Sequence, residues 1–171
     1  SKVINFNGAN AVLSIARDIT ERKNAQRNII ESKQRYKSLF DNSLTGIIYF
    51  NTRGDILEAN SKVIEMLGSP SAGETKKINI LKYKPLIDIG ASKQFLECIK
   101  TGKPVFKEAQ YTSKWGKTLY VRYYFNPIYD NEGIIIGLLA NLDEITEQTI
   151  ATKKLKESEE KFRKVIKQSV D

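Results

Sequence analysis

A strand-like run, then Ile-Thr-Glu, then a long charged helical stretch occurs twice in this chain. Sliding the sequence along itself until Ile19-Thr20-Glu21 meets Ile145-Thr146-Glu147 aligns the flanking residues without a gap. Ala25 then falls on Ala151, Glu31-Ser32 on Glu157-Ser158 and Ser43 on Ser169, with Ile29/Leu155, Tyr36/Phe162 and Leu39/Val165 as conservative pairs. A repeat at fixed spacing is the mark of an array of similar units. It sets the boundaries expected here. Residues 1–20 read as the closing hairpin of a preceding unit, 21–42 as a linker helix, 43–147 as one complete unit, and 148–171 as a linker helix leading into the next.

Both helical stretches carry one stripe: Ala25, Ile29, Ser32, Tyr36, Leu39 and Ser43, and again Ala151, Leu155, Ser158, Phe162, Val165 and Ser169. Steps alternating between four and three residues make a heptad seam. Such a seam serves either an amphipathic helix packed on its own domain or a parallel coiled coil between chains. Thr20 and Thr146 stand where a hydroxyl would cap the first free N–H groups of each helix.

Between the helices the elements follow from pattern and punctuation. Ahead of them, Val3 to Phe6 and Ala11 to Ala16 read as strands around a turn at Gly8-Ala9-Asn10. Gly46 to Phe50 and Asp55 to Ala59 form a hairpin about the turn ending in Gly54. Asn60 opens a helix with Val63, Ile64 and Leu67 on one face and Gly68 as its stop. Ser69 to Gly90 is irregular, with a helical turn expected near Ile78 to Leu81. Ala91 to Lys100 is a helix with Phe95, Leu96 and Ile99 inward, ended by Gly102. Val105 to Thr112 is a strand, Lys114-Trp115-Gly116 a turn, and Tyr120 to Leu142 a long aromatic and β-branched hairpin about Asp130-Asn131-Glu132-Gly133. Polar Asp143 to Glu147 is expected to break the last strand.

The composition narrows function more than it names it. At 40% hydrophobic and 28% charged, the chain is globular rather than disordered. The net charge of +8 comes from lysines and arginines interleaved with glutamates, with no nucleic-acid recognition motif, so no nucleic-acid partner is expected. The count of histidines is 0, which removes imidazole acid–base chemistry and His-ligated metal or haem from this chain. No phosphate-binding loop, zinc-protease motif or cysteine pair occurs, so the segment is not expected to be an enzyme. The lone Cys98 permits no internal disulfide and suits a reducing, cytoplasmic setting. The chain opens on Ser1-Lys2 with no visible signal peptide, and its apolar runs fall short of the roughly 20 residues of a membrane span. Direct membrane insertion is therefore not expected.

The order β-β-α-α-α-β-β-β, with Asn51-x-x-Gly54-x-Ile56-x-x-x-Asn60, Trp115-Gly116-Lys117, Asn126-Pro127-Ile128, Asp130-x-x-Gly133 and Ile145-Thr146-Glu147, resembles the PAS sensor domains. The resemblance covers residues 39–147 and the tail at 1–20. It implies an α+β fold, a five-stranded antiparallel sheet with helices on one face. It also implies a signalling module of a prokaryotic multi-domain protein, with a sensor histidine kinase as the expected effector and tandem units of the same chain as neighbours. That family's closing signature is Asp-Ile-Thr. Here Asp18 fits the upstream copy, while Asp143 and Glu144 share the place in the second, leaving the acting carboxylate open.

Strand alternation assigns two faces. The resemblance puts Val121, Tyr123, Phe125, Leu138, Ala140 and Leu142 inside with Ile48 and Phe50, closed from the helix side by Val63, Leu67, Ile80, Phe95 and Ile99. In PAS sensors this space is either a packed core or a pocket for a small molecule, whose polar groups Tyr111 and Tyr123 would orient. A cysteinyl-flavin photosensor is not expected, since Cys98 lies on the later helix, outside that family's flavin motif. On the outer face, Ile47, Tyr49, Tyr120, Tyr124 and Leu139 are too apolar to stand in water. Their cover is expected to be the Thr20–Asn42 helix, a second subunit in a homodimer, or both. Residues 1–19 should pair with a neighbouring sheet edge or stay mobile. Asp143, Glu144, Ile145, Thr146 and Glu147 are the expected signal junction.

Overall fold

A computed structural model describes residues 2–6, 9–13 and 20–168. Contacts divide the chain into residues 1–39 and 40–171. In the first unit, β1 (Lys2–Phe6) and β2 (Ala9–Leu13) pair antiparallel in a two-stranded sheet; α1 spans Thr20–Asp41, its last residues, Phe40 and Asp41, belonging to the second unit. The second strand begins earlier than the sequence suggests. Phe6 already registers with Ala9, so Ala9 and Asn10 lie in β2. Gly8 and the expected strand end at residues 14–16 fall outside the described residues, as do the upstream Asp18-Ile19 and the last stripe position, Ser169. Along α1 every side chain from Thr20 to Leu39 is exposed.

The second unit runs β3 (Gly46–Asn51), β4 (Ile56–Ala59), α2 (Ser61–Leu67), α3 (Ala72–Lys76), α4 (Lys84–Asp88), α5 (Ala91–Thr101), β5 (Val105–Thr112), β6 (Thr118–Tyr129), β7 (Ile135–Glu144) and α6 (Thr146–Gln168). Its sheet has the order β4-β3-β7-β6-β5, antiparallel throughout. The α+β architecture expected from the sequence is therefore present. Short loops build it: Asp130 Oδ1 accepts from the backbone N–H groups of Glu132 and Ile134, closing the β6–β7 turn at 2.9 Å each.

Three local expectations change. Ile78–Leu81 is not helical; short helices flank it instead. Ser71 Oγ caps α3 by accepting from Glu74 N–H, and Pro85 opens α4. Between them Asn79 Oδ1 takes the Leu81 N–H, which holds the segment as a turn. On α5 the buried residues are Ala91, Ser92, Phe95 and Cys98, while Leu96 is exposed and Ile99 half-buried. The inward stripe steps from 91 to 95 to 98, which turns Leu96 outward. Finally, β7 does not break at Asp143. It continues because Arg122 registers with Asp143 and Val121 with Glu144.

One side chain ties the second unit together at its start. Asn60 is fully buried, with 0% of its surface exposed. Its Oδ1 accepts from Ile47 N–H at 2.9 Å and from Val63 N–H at 3.1 Å, capping α2 as expected. Its Nδ2 donates to the carbonyls of Phe40 and Thr45, both at 3.0 Å. All of the amide's hydrogen-bonding positions are used, joining the end of α1, β3 and α2. Asn60→Ala would strand two N–H groups and two carbonyls. It is expected to cost roughly 2–4 kcal/mol, read as a shift of the urea midpoint. Asn60→Asp keeps the acceptor and loses the donors, so it should fall between.

Candidate functional site: an inner cavity and a strand–helix junction

The inner face of the sheet is apolar because Ile48 and Phe50, Val121, Tyr123 and Phe125, and Leu138, Ala140 and Leu142 alternate on three adjacent strands. All but Leu142 are buried, and Leu142 is half-buried. A cavity of about 70 Å³ lies between this face and the helices. Of the residues singled out from the sequence, Ile48, Phe50, Leu67, Ile80 and Tyr111 line it, as do Val121, Tyr123, Phe125, Ala140 and Leu142. Val63, Phe95, Ile99 and Leu138 do not.

The reason is packing. Phe50, Phe95 and Phe125 meet edge to face, with centroids 5.5, 5.8 and 6.3 Å apart, so Phe95 fills the α5 side of the space. Val63, Phe95 and Leu138 are each fully buried in the core, and Ile99 packs at its margin. The wall also includes Ile56, Thr75, Ile78, Leu86, Ile89 and Ala91. Most of these sit in the segment whose pattern has no period, so strand or helix alternation gave no handle on them.

The cavity is small and almost wholly apolar. Ligand pockets for drug-sized molecules span roughly 300–1,000 Å³, and even a dry cavity that takes benzene is about 150 Å³. The Tyr123 hydroxyl donates to Gln94 Oε1 at 3.0 Å, and burial pushes its pKa up to about 12. Burial also raises that of Tyr111. Cys98 is buried, its Sγ donating to the Phe125 carbonyl at 3.5 Å, and desolvation raises its thiol. It remains a protonated packing residue.

One wall of the cavity is latched from outside. Asn79 Nδ2 donates to Asp55 Oδ1 at 2.7 Å and to the Arg53 carbonyl at 3.0 Å, while Asn51 Nδ2 donates to Asp55 Oδ2 at 2.9 Å. Ile78 and Ile80 follow from this anchor into the cavity. Gly54 makes the approach possible. Its φ is +83°, and a Cβ there would lie 2.8 Å from Leu81.

The outer face is less uniform than the sequence implies. Ile47, Tyr49, Tyr120, Tyr124 and Leu139 are all half-buried and do share one side of the sheet. Tyr49 packs over Gly137, where a Cβ would collide with the Phe50 carbonyl. Phe106 stacks on Tyr124 at 5.5 Å and is itself 61% exposed. A charged row then crosses the face: Arg122 Nε donates to Glu108 Oε1 at 2.8 Å, and Asp143 registers beside Arg122. This row separates Tyr120 from the other four. Tyr120 belongs with the junction.

At that junction β7 passes into α6 through Ile145, which is buried and whose N–H donates to the Tyr120 carbonyl at 2.8 Å. Thr146 does not spend its hydroxyl on the expected helix cap. Its Oγ1 instead accepts from Tyr120 N–H at 3.0 Å and donates to Glu144 Oε1 at 3.2 Å. Lys153, two turns into α6, donates to the Tyr120 hydroxyl at 2.7 Å and lies 4.6 Å from the ring centroid. Tyr120 thus holds the junction by its backbone N–H, its carbonyl and its ring. Glu144 is the carboxylate that holds Thr146, and Asp143 is the one beside Arg122. Glu147 is exposed in the first turn of α6. The roles of Tyr120 and Lys153 depend on cross-strand register, which no local pattern reveals.

The latch has a defined pH signature. Hydrogen bonds from Asn51, then Asn79, hold the Asp55 carboxyl below its usual value of 3.8. Its stabilisation is complete above the unfolded value and lost as pH falls through the depressed one. Asp55→Ala should therefore be most destabilising near neutral pH. The gap to wild type should close on acidification below about pH 4; a gap that widened would contradict the latch.

Residues 34–100 match the family model for the PAS domain. Sporulation kinase E of Bacillus subtilis is 27% identical over 176 residues, a match covering 93% of this chain and 21% of that protein. The chain thus spans about a fifth of the curated relative it matches. Among solved structures, the PAS domain of an HTR-like protein from Haloarcula marismortui superposes with a TM-score of 0.60 at 21% identity, covering 72% of this chain and 100% of that one. A domain of a sensory box sensor histidine kinase/response regulator from Geobacter sulfurreducens gives a TM-score of 0.54 at 20% identity, covering 68% and 97%. No described helix is long and apolar enough to cross a membrane. Sheet order and motifs agree with the family model over residues 34–100, and the second unit has the PAS fold.

Proposed function

We propose that this chain is a sensing and relay segment of a histidine-kinase-type signalling protein, non-catalytic itself, with its effector elsewhere in the same protein. The observation that carries the reading is the junction. Val121 lines the cavity, and its chain neighbour Tyr120 grips Ile145, Thr146 and Lys153 on the way into α6. A displacement of β6 at the cavity reaches the helix through one residue. In this reading a small molecule or a rearranged dimer shifts β6 and β7, and the helix passes a two-state bias onward. The size of the cavity favours a ligand of few atoms, or input by conformation alone. The outer cluster of Ile47, Tyr49, Tyr124 and Leu139 is proposed as a homodimer contact, and residues 1–20 as the tail of a preceding similar unit. The likeness to Sporulation kinase E supports the choice of effector class.

The rival reading is a ligand-free structural spacer, which the small cavity also suits. Two results separate them. In the full-length protein, Thr146→Ala should lose the link between input and kinase output while the domain stays folded, and Thr146→Ser should keep it. Output that responds normally in both variants would favour the spacer. Native mass spectrometry against the denatured mass should show either no excess or one of few atoms. An excess the size of a flavin or nucleotide would contradict the cavity reading.

A further inference from the structure

A cleft opens on the outer side of the sheet, where the first turns of α6 meet β6. Its volume is about 320 Å³, against about 70 Å³ for the inner cavity. That reaches the lower end of the roughly 300–1,000 Å³ of small-molecule sites. Buried Ile145 and half-buried Thr149 form its base. Glu108 and Arg122 stand on the sheet side, and Thr152 and Lys153 on the helix side.

The two sides carry opposite charge. On the sheet, Arg122 stands between two carboxylates: Glu108 pairs with it from β5, and Asp143 registers beside it from β7. The sheet side is therefore left with a surplus carboxylate. On the helix, Lys153 donates to the neutral hydroxyl of Tyr120 and makes no ion pair within the described chain. The unused hydrogen-bonding positions fall on the same groups. Both Arg122 contacts land on Glu108 Oε1, at 2.8 Å from Nε and 2.6 Å from Nη2, so Oε2 has no partner among the described residues. The Thr149 hydroxyl has none among them either, and the Lys153 ammonium gives only one of its protons to Tyr120.

We propose that this cleft binds a small zwitterion of the amino-acid class, its carboxylate on Lys153 and its ammonium on Glu108 Oε2. A plain anion would gain Lys153 but face the surplus carboxylate, and a plain cation would meet the reverse. A molecule with both ends satisfies both sides, with the Thr149 hydroxyl free to donate to its carboxylate. Bound there, it braces β5 and β6 against α6. The cleft is separate from the inner cavity, so the inference stands whether that cavity is filled or empty.

Three probes on one four-carbon frame test it on the whole chain: γ-aminobutyrate, butyrate and butylamine, with alanine as a shorter zwitterion. Amide chemical shifts in two-dimensional NMR report the binding. A zwitterion should give saturable shifts at Glu108, Arg122, Thr149 and Lys153, with butyrate and butylamine roughly ten-fold weaker. Glu108→Gln removes the surplus negative charge, so butyrate should then bind at least as tightly as the zwitterion. A merely structural Glu108 would leave the preference unmoved. Thr152→Phe, at the exposed rim, should block the cleft, with circular dichroism checking that α6 remains helical. No saturable shift with either zwitterion, equal binding of all the probes, an unchanged preference in Glu108→Gln, or binding undiminished by Thr152→Phe would each overturn the proposal.

Discussion

A buried carboxamide is costly to leave half-satisfied, since an unmet donor or acceptor costs roughly 1–3 kcal/mol, a sizeable share of the 5–15 kcal/mol or so that holds a domain folded. Asn60 meets that demand by joining three segments at once, and the geometry of the inner face follows from it. Its bonds to Ile47 and Val63 set the angle at which α2 leaves β4 and lies across β3. Its bonds to Phe40 and Thr45 fix where the chain enters the sheet. Helices α2 to α5 pack on the inner face. The cavity is what remains between them once the three phenylalanines have interlocked.

The two faces of the sheet are chemically different, and β6 is where they meet. Its inward residues Val121, Tyr123 and Phe125 form the cavity wall, while its outward residues Tyr120 and Arg122 hold the start of α6 and the charged row. The same backbone thus serves both. In the proposed relay this removes the need for a long path, because the residue that feels the cavity and the residue that grips the helix are neighbours in the chain. The arrangement also explains why Thr146 is not a helix cap: its hydroxyl is spent on Tyr120 and Glu144.

Much of the fold was legible in sequence because its signals are local. Asn60 before an apolar helix, Gly54 and Gly133 in tight turns, and period-two alternation on β3, β6 and β7 each point to one structure. The same alternation placed most of the sheet's contribution to the cavity. What stayed hidden was set by tertiary context. The α3–α4 segment has no period, so Ile78, Leu86 and Ile89 could not be assigned a side. Asp143 and Glu144 look like strand breakers until β6 supplies Arg122 and Val121 as partners. Lys153 reads as one more solvated lysine until the junction brings it onto Tyr120.

The central claim is that the cavity and α6 are coupled through β6 at Tyr120. Amide hydrogen exchange on Val121→Ala tests it most directly, because the substitution thins the cavity wall and leaves every junction side chain in place. The account predicts faster exchange at the Tyr120, Ile145 and Thr149 amides, with the Asn60-linked amides of Ile47 and Val63 unchanged. Exchange altered only around the cavity, with Tyr120 and Ile145 as protected as in the wild type, would contradict it.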